Sequence, residues 1–246
     1  MPIDYKKDWN ELAELDPLWA IATRPEKKFG KWDKDEFFQS GEKEIKEIIN
    51  YCKNLGYPSE FQNALDFGCG AGRLTIPLSK NFVQCIGVDI SETMIKLAKK
   101  YQNSPNCKYI VNSDKKLSMF DNDSFDLIYS SIVLQHVPEK ELIKSYISEF
   151  IRILKKNGIL VFQLPSRLPI KQRIQIVSKL YHFLRFIGIK KEFIYKKIGV
   201  NPIFMNSIPE TEVTSFLEGL GTKILEIRKD NRAGKKIESK TYFVTK

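Results

Sequence analysis

Three glycines at alternate positions, Gly68, Gly70 and Gly72, lie between a carboxylate at Asp66 and another at Asp89. Glycines at that spacing let bare backbone approach a ligand, and an acid about twenty residues on accepts hydrogen bonds from ribose hydroxyls. The run Ala64-Leu65-Asp66-Phe67 predicts a strand, and Val83 to Val88 predicts a second, ending at Asp89. Between them Leu74, Ile76 and Leu78 predict a helix packed on a sheet. The chemistry expected here is that of a nucleotide-type βαβ crevice. Farther along, His136 follows another strand-like run, at the edge where open α/β sheets bind ligands. Its ordinary pKa suits proton removal near neutrality. It reads as the one catalytic candidate, a general base, against the plainer reading of a histidine that packs after the strand.

Two residues choose among nucleotides. A dinucleotide fingerprint wants glycine or alanine at position 73, which here is Arg73. Asp66, two residues before the first glycine, would repel a pyrophosphate and suit a cationic or zwitterionic ligand. The stretch Asp66-Phe67-Gly68-Cys69-Gly70-Ala71-Gly72 resembles motif I of the class I S-adenosylmethionine-dependent methyltransferases, in the form D-x-G-C-G-x-G. Phe125-Asp-Leu-Ile-Tyr-Ser-Ser-Ile-Val-Leu-Gln-His-Val-Pro138 resembles the fourth-strand region of members acting on small molecules. It lacks the Asn/Asp-Pro-Pro-aromatic strand end of amino-methylating nucleic-acid enzymes. The resemblance implies S-adenosylmethionine as cofactor, with S-adenosylhomocysteine as product, and methyl transfer as the activity. Asp89 takes the ribose, and Asp114 stands where the family's acid meets the adenine amino group. The cofactor-binding residues expected on this basis are Asp66, Gly68, Cys69, Gly70, Gly72, Arg73, Asp89, Ile90, Met94, Ser113, Asp114 and Ser130. Ile90 and Met94 are placed to flank the adenine.

The elements that must position these residues follow from periodicity and punctuation. An aromatic-rich segment precedes the crevice, with Tyr5, Trp9, Trp19, Trp32, Phe37 and Phe38. It predicts a short helix near 5–14 and a longer one over about 39–55. Ser91 predicts an N-cap, and Cys107 to Val111 a third strand. Phe125 to Tyr129 predicts the fourth strand. Glu139 to Lys156 predicts a helix capped by Asn157-Gly158, and Ile159 to Leu164 a fifth strand stopped by Pro165. Residues 166–206 read as an insertion whose apolar stripe (Ile174, Val177, Leu180 or Tyr181, Leu184, Ile187) faces the domain. Pro209 to Leu220 predicts the last helix. Two strands follow, Lys223 to Arg228 and Ser239 to Thr245.

The fold class expected is α/β: a doubly wound, seven-stranded, mostly parallel Rossmann-like sheet forming one domain of 246 residues. Its parts are an N-terminal helical lid (1–58), a cofactor-binding core (59–165), a basic helical cap (166–206), and a C-terminal helix with an antiparallel strand pair (207–246). No apolar run approaches the ~18–20 residues of a membrane span. The N-terminus, Met1-Pro2-Ile3-Asp4-Tyr5-Lys6-Lys7, lacks the apolar core of a signal peptide. Cys52, Cys69, Cys85 and Cys107 lack metal-ligand spacing and read as reduced thiols. A cytoplasmic protein without a metal is expected.

Charge is uneven. Of a formal net +10, most lies between Arg167 and Lys197, where the single acid is Glu192. The segment reads three ways: a solvated cap, a surface for an anionic substrate or anionic membrane, or an RNA-binding patch. The acceptor expected is a small molecule, anionic or sugar-like, with methylation at a hydroxyl of a sugar or of a glycan or lipid-linked intermediate. Nucleic-acid modification is the alternative.

Overall fold

A computed structural model of the chain describes residues 4–102, 104–234 and 236–246. Met1-Pro2-Ile3, the opening of the N-terminal stretch read above, lies outside them, as does the side chain of Lys171 in the basic segment. Strands β1 (Asn63–Phe67), β2 (Gln84–Asp89), β3 (Cys107–Val111), β4 (Phe125–Ser130), β5 (Leu154–Arg167), β6 (Lys223–Asp230) and β7 (Glu238–Thr245) form one seven-stranded sheet in the order β3-β2-β1-β4-β5-β7-β6. β1 to β5 pair in parallel, and β7 runs antiparallel to both its neighbours. The order reverses between β1 and β4. At such a switch point the connections leave in opposite directions and open a crevice beyond the strand ends.

The helices are α1 (Tyr5–Leu15), α2 (Pro17–Ile21), α3 (Lys34–Asn54), α4 (Thr75–Ser79), α5 (Glu92–Tyr101), α6 (Lys140–Ile153), α7 (Ile170–Ile174), α8 (Ile176–Phe186), α9 (Lys191–Phe193) and α10 (Glu210–Gly219). Strand alternation sends neighbouring side chains to opposite faces. Leu127, Tyr129 and Val161 join α3, α4 and α5 on one face. Ile128, Leu160 and Phe162 join α6 and α10 on the other. Trp19, Trp32, Phe37 and Tyr195 form a separate aromatic cluster. The Trp19 and Trp32 indole N–H groups donate to Arg24 O and Ala22 O, both at 3.0 Å.

Several boundaries differ from the sequence reading, each for a local reason. α3 begins at Lys34, because Asp33 caps it by accepting from Glu36 N at 2.9 Å. α6 ends at Ile153, and Asn157-Gly158 is not its cap. Phe125 pairs with Leu154 but Leu127 pairs with Ile159, so residues 155–158 bulge from β5 with Asn157 at φ 62°. Pro165 does not stop β5, which runs on to Arg167 against β7 with a register shift between those two residues. Gln175, at φ 58°, divides the expected insertion helix into α7 and α8. The stripe read as facing the domain does not: Ile174, Val177, Leu180 and Ile187 are exposed. Tyr181 is buried instead.

Gly41 sets how closely α3 approaches the glycine loop. A Cβ there would lie 2.1 Å from the Arg73 carbonyl oxygen, which is backbone and cannot swing aside. Gly41→Ala is expected to destabilise the fold by about 1–3 kcal/mol in urea unfolding, as an overpacking substitution. Gly219→Ala, in open space at the end of α10, is expected to be neutral or slightly stabilising. Equal midpoints for the two variants would show that α3 does not rest on this contact.

Candidate active site

β1 ends at Phe67 and the chain turns at once through Gly68, whose φ of 77° a side chain would strain. The turn is pinned by the β2 carbonyl of Val88, which accepts from Gly68 N at 2.7 Å and Cys69 N at 3.0 Å. Asp89, at the end of β2, accepts from Gly70 N through Oδ2 at 2.8 Å and from Ser91 N through Oδ1 at 2.8 Å. A carboxylate offers about four acceptor positions, so these backbone donors leave it capacity for a ligand. Ser91 then caps α5, accepting from Met94 N at 3.2 Å.

The crevice beyond these strand ends has a volume of ≈ 1270 Å³ with its open mouth included. Gly68, Cys69, Gly70, Arg73, Asp89, Ile90, Met94 and His136 all line it. The remaining expected residues do not, and the reasons are structural. Asp66 lies beneath the wall, 1% exposed, where Oδ2 accepts from Thr75 Oγ1 at 2.7 Å. Burial pushes its carboxyl up to about 7, so it is no fixed anion to greet a cation. Gly72 makes room for Tyr109, whose hydroxyl would be 2.5 Å from a Cβ. Ser113 and Asp114 point into solvent, because the chain turns at Asn112, whose Oδ1 accepts from Asp114 N at 3.1 Å. Asn112 itself lines the crevice in their stead. Ser130 is fully buried in the sheet, and alternation hands the crevice to Ser131.

His136 lies on the crevice wall, edge-on to Trp9 with ring centroids 5.5 Å apart. Its tautomer is fixed from a distance. Ile132 N–H donates to Gln163 Oε1 at 3.2 Å, which orients that amide. The Gln163 NH₂ reaches Gln135 Oε1 at 3.4 Å, and the Gln135 NH₂ donates to His136 Nε2 at 3.0 Å. His136 Nδ1–H therefore donates to the Phe204 carbonyl at 2.6 Å. Burial, only partly offset by that carbonyl, pulls the imidazole pKa down to about 4. The ring is neutral near pH 7 and presents Nε2 as an acceptor. Ile132 sits at φ 59°, a strained backbone for a β-branched residue and one found at functional sites.

Sequence reasoning missed a charged cluster that reaches the same crevice through Arg73 and Arg232. Glu44 on α3 meets Arg73 at 2.8 Å and Arg232, from the β6–β7 turn, at 2.9 Å. It also accepts from Tyr129 OH at 2.8 Å. Burial alone would raise the Glu44 carboxyl, but Arg73, Arg232 and Tyr129 hold it down to about 2. Arg232 further donates to Ser131 Oγ at 2.7 Å. Nothing local marks Glu44 or Arg232, which stand far apart in sequence on unremarkable polar runs. The roof comes from the N-terminal segment, with Tyr5, Trp9, Ala20 and Ile21 lining the crevice, and Ile203 and Met205 arrive from the end of the insertion.

A family model described as a methyltransferase domain matches residues 65–162, from β1 into β5. The chain is 35% identical over 98 residues to the ubiquinone biosynthesis O-methyltransferase of Pelagibacter ubique, covering 39% of each chain. It is 28% identical over 168 residues to the enzyme of that name from Coxiella burnetii, covering 68% of this chain and 65% of the relative. Both matches span less than two thirds of those relatives' length. In fold it is similar to the magnesium protoporphyrin IX methyltransferase of Synechocystis, solved with bound S-adenosylhomocysteine, at TM-score 0.62 and 15% identity over 98% of both chains. The matched stretch and the shared fold agree with the glycine turn and the acid behind it: residues 65–162 carry a methyltransferase domain, set in a chain with the fold of a methyltransferase.

Proposed function

We propose that the chain binds S-adenosylmethionine along the Gly68–Gly70 edge and transfers its methyl group to a hydroxyl of a small, largely apolar acceptor held against His136. One observation carries this reading: a single crevice is walled both by the ribose-ready Asp89 and by a neutral imidazole with an acceptor nitrogen. The residues suit the cofactor. A Cβ at Gly68 would press into Val133 at 2.3 Å, and one at Gly70 into Ile21 at 2.7 Å, so bare backbone edges the space. Ile90 and Met94 give apolar flanks for a base. Arg73 and Arg232 outnumber Glu44 in their own cluster, and that local positive charge suits an amino-acid carboxylate.

When bound, the cofactor supplies a methyl carbon activated by its sulfonium. The chain's own task is alignment, exclusion of water and removal of one proton. Trp9, Ile21, Ile203 and Met205 supply apolar walls. They favour an acceptor with an apolar ring or chain over the sugar or glycan expected from sequence, whose hydroxyls would go unpaired against them. The name O-methyltransferase carried by relatives supports oxygen as the receiving atom. An acceptor hydroxyl reaches His136 Nε2 by displacing the Gln135 amide and then gives up its proton there. Consumption of S-adenosylmethionine against phenolic, alkyl, sugar and RNA acceptors tests the class. Turnover confined to sugars or RNA would overturn it.

Asp89→Ala is expected to weaken S-adenosylmethionine binding at least about tenfold in calorimetry, through the lost hydrogen bonds to a charged group. Asp66→Asn is expected to leave affinity within about threefold, since an amide keeps the Thr75 bond and replaces a carboxyl that already tends to be neutral. A larger loss in the second variant than in the first would reverse the two assignments. His136→Ala is expected to lower kcat about a hundredfold or more while cofactor affinity holds. With the imidazole pKa near 4, activity should show no acid limb at the usual histidine value; it should stay level down to about pH 5 and fall only below that. A fall with its midpoint near the ordinary histidine value, or full rate in the alanine variant, would remove His136 as the base.

A further inference from the structure

α8 is turned the unusual way round. Its polar side faces the protein: Tyr181 OH donates to Glu11 Oε2 at 2.6 Å, Arg185 Nη2 lies 2.8 Å from Glu11 Oε1, and His182 Nε2 lies 3.3 Å from Asp8 Oδ2. Ser178 Oγ, on the same side, donates to Pro202 O at 2.8 Å. The opposite side carries Ile176, Leu180, Phe183 and Ile187 at helical spacing, and it faces outward. Ile176 is 56% exposed, Phe183 58% and the neighbouring Phe186 67%, too much apolar surface to be scattered chance on one helix. Ile170 on α7 and Phe193 on α9 extend the same exposure to either side.

Charge says what would cover this face. Arg173, Lys179, Lys190, Lys196 and Lys197 are exposed around it, and Glu192 is the one acid of the segment. Beside α7 a polar hollow is lined by Lys140, Arg167 and Arg173, which brings more positive charge to that edge. A second copy of the chain would bring cations against cations. An anionic bilayer surface answers both features, taking the apolar side chains into the headgroup boundary and the lysines against the lipid phosphates. No helix among the described residues is long and apolar enough to cross a membrane, so the contact is peripheral.

We propose that α7, α8 and α9 form a docking face for an anionic membrane surface, with the apolar side of α8 inserted at the headgroup level. The opposite side of α8 clasps α1, whose Tyr5 and Trp9 line the crevice. Docking would therefore hold the crevice roof one helix away from the lipid. The proposal stands apart from the choice of acceptor, since it concerns a surface that does not line the crevice.

The full chain is mixed with vesicles of phosphatidylglycerol and phosphatidylcholine, or of phosphatidylcholine alone, and pelleted at low salt. Binding to the anionic vesicles is expected to be about tenfold or more tighter than to the neutral ones. The double variant Phe183→Asp, Phe186→Asp should lose about tenfold or more through its apolar contact, and Lys179→Glu with Lys190→Glu a similar factor through charge. Thermal melts and S-adenosylmethionine calorimetry should match wild type, because all four positions are exposed and none lines the crevice. If the Phe pair melts early, the lysine pair decides alone. Equal binding to both vesicle types, no binding, or variants that bind as wild type overturns the proposal. So does a wild-type dimer in sedimentation velocity that Phe183→Asp abolishes, or retention on RNA without retention on vesicles.

Discussion

A largely buried carboxylate on α3 receives guanidinium groups from two distant parts of the chain, and the crevice wall hangs on that meeting. Glu44 joins α3 to the glycine loop through Arg73, to the β6–β7 turn through Arg232, and to β4 through Tyr129. Arg73 and Glu44 are only 10% and 14% exposed at their side chains, so water does little to replace a lost partner. Such a cluster adds modest net stability while intact, but losing one member strands a buried charge at about 3–5 kcal/mol. Its value is geometric. The backbone of α3 lies against the Arg73 carbonyl at Gly41, one helical turn before Glu44, so steric fit and charge fix the same distance. The loop that must stand still beneath a ligand is held from above by both.

A second set of charges fixes the roof. Glu11 and Glu14 on α1 pair with Arg185 and Lys191 of the insertion, and Asp8 lies beside His182. These pairs explain why the polar side of α8 turns inward. Glu11 is buried, and leaving it without Arg185 would disfavour the roofed state. Pairing them spends the polar side of the helix, and the apolar side is what remains for solvent or for a lipid surface. The N-terminal segment and the insertion are thus a single covering unit made from sequence stretches more than a hundred residues apart.

What was legible in the sequence was whatever is local and repeats at a known spacing. The glycine loop, the acid at Asp89, the Ser91 cap and the alternation of β4 and β5 are all of that kind. The seven-stranded sheet with its antiparallel end followed from them together with the family resemblance they carry. Errors came where a long-range partner decided. Asn157-Gly158 looks like a helix cap, yet the pairing of Leu127 with Ile159 draws the chain into a bulge. Ser130 and Ser131 are indistinguishable by type, and only the sheet's alternation says which one faces the crevice. The insertion stripe has ideal amphipathic spacing, but periodicity tells that a helix has two sides and not which side meets the protein. Glu44 and Arg232 carry no spacing at all, being joined only when the sheet closes.

The ionisable groups near the crevice divide by what burial does to them, and the division has a thermodynamic sense. His136 is held near 4, so between that value and the ordinary histidine pKa the unfolded chain binds the proton and the folded one does not. Its contribution to stability rises with pH across that window. Asp66 is held near 7, above its ordinary value, so the folded chain keeps a proton that the unfolded one releases, and its contribution falls as pH rises through the same range. The two slopes oppose each other between about pH 4 and 7, where either alone would make the fold sensitive. Glu44, held near 2, keeps its charge throughout that range, and with it the grip on Arg73 and Arg232. A neutral acceptor at His136 thus lines the crevice while a fixed anion at Glu44 sits behind its arginines: the imidazole is hydrogen-bonded to an amide and a carbonyl, and the carboxylate to two cations and a phenol.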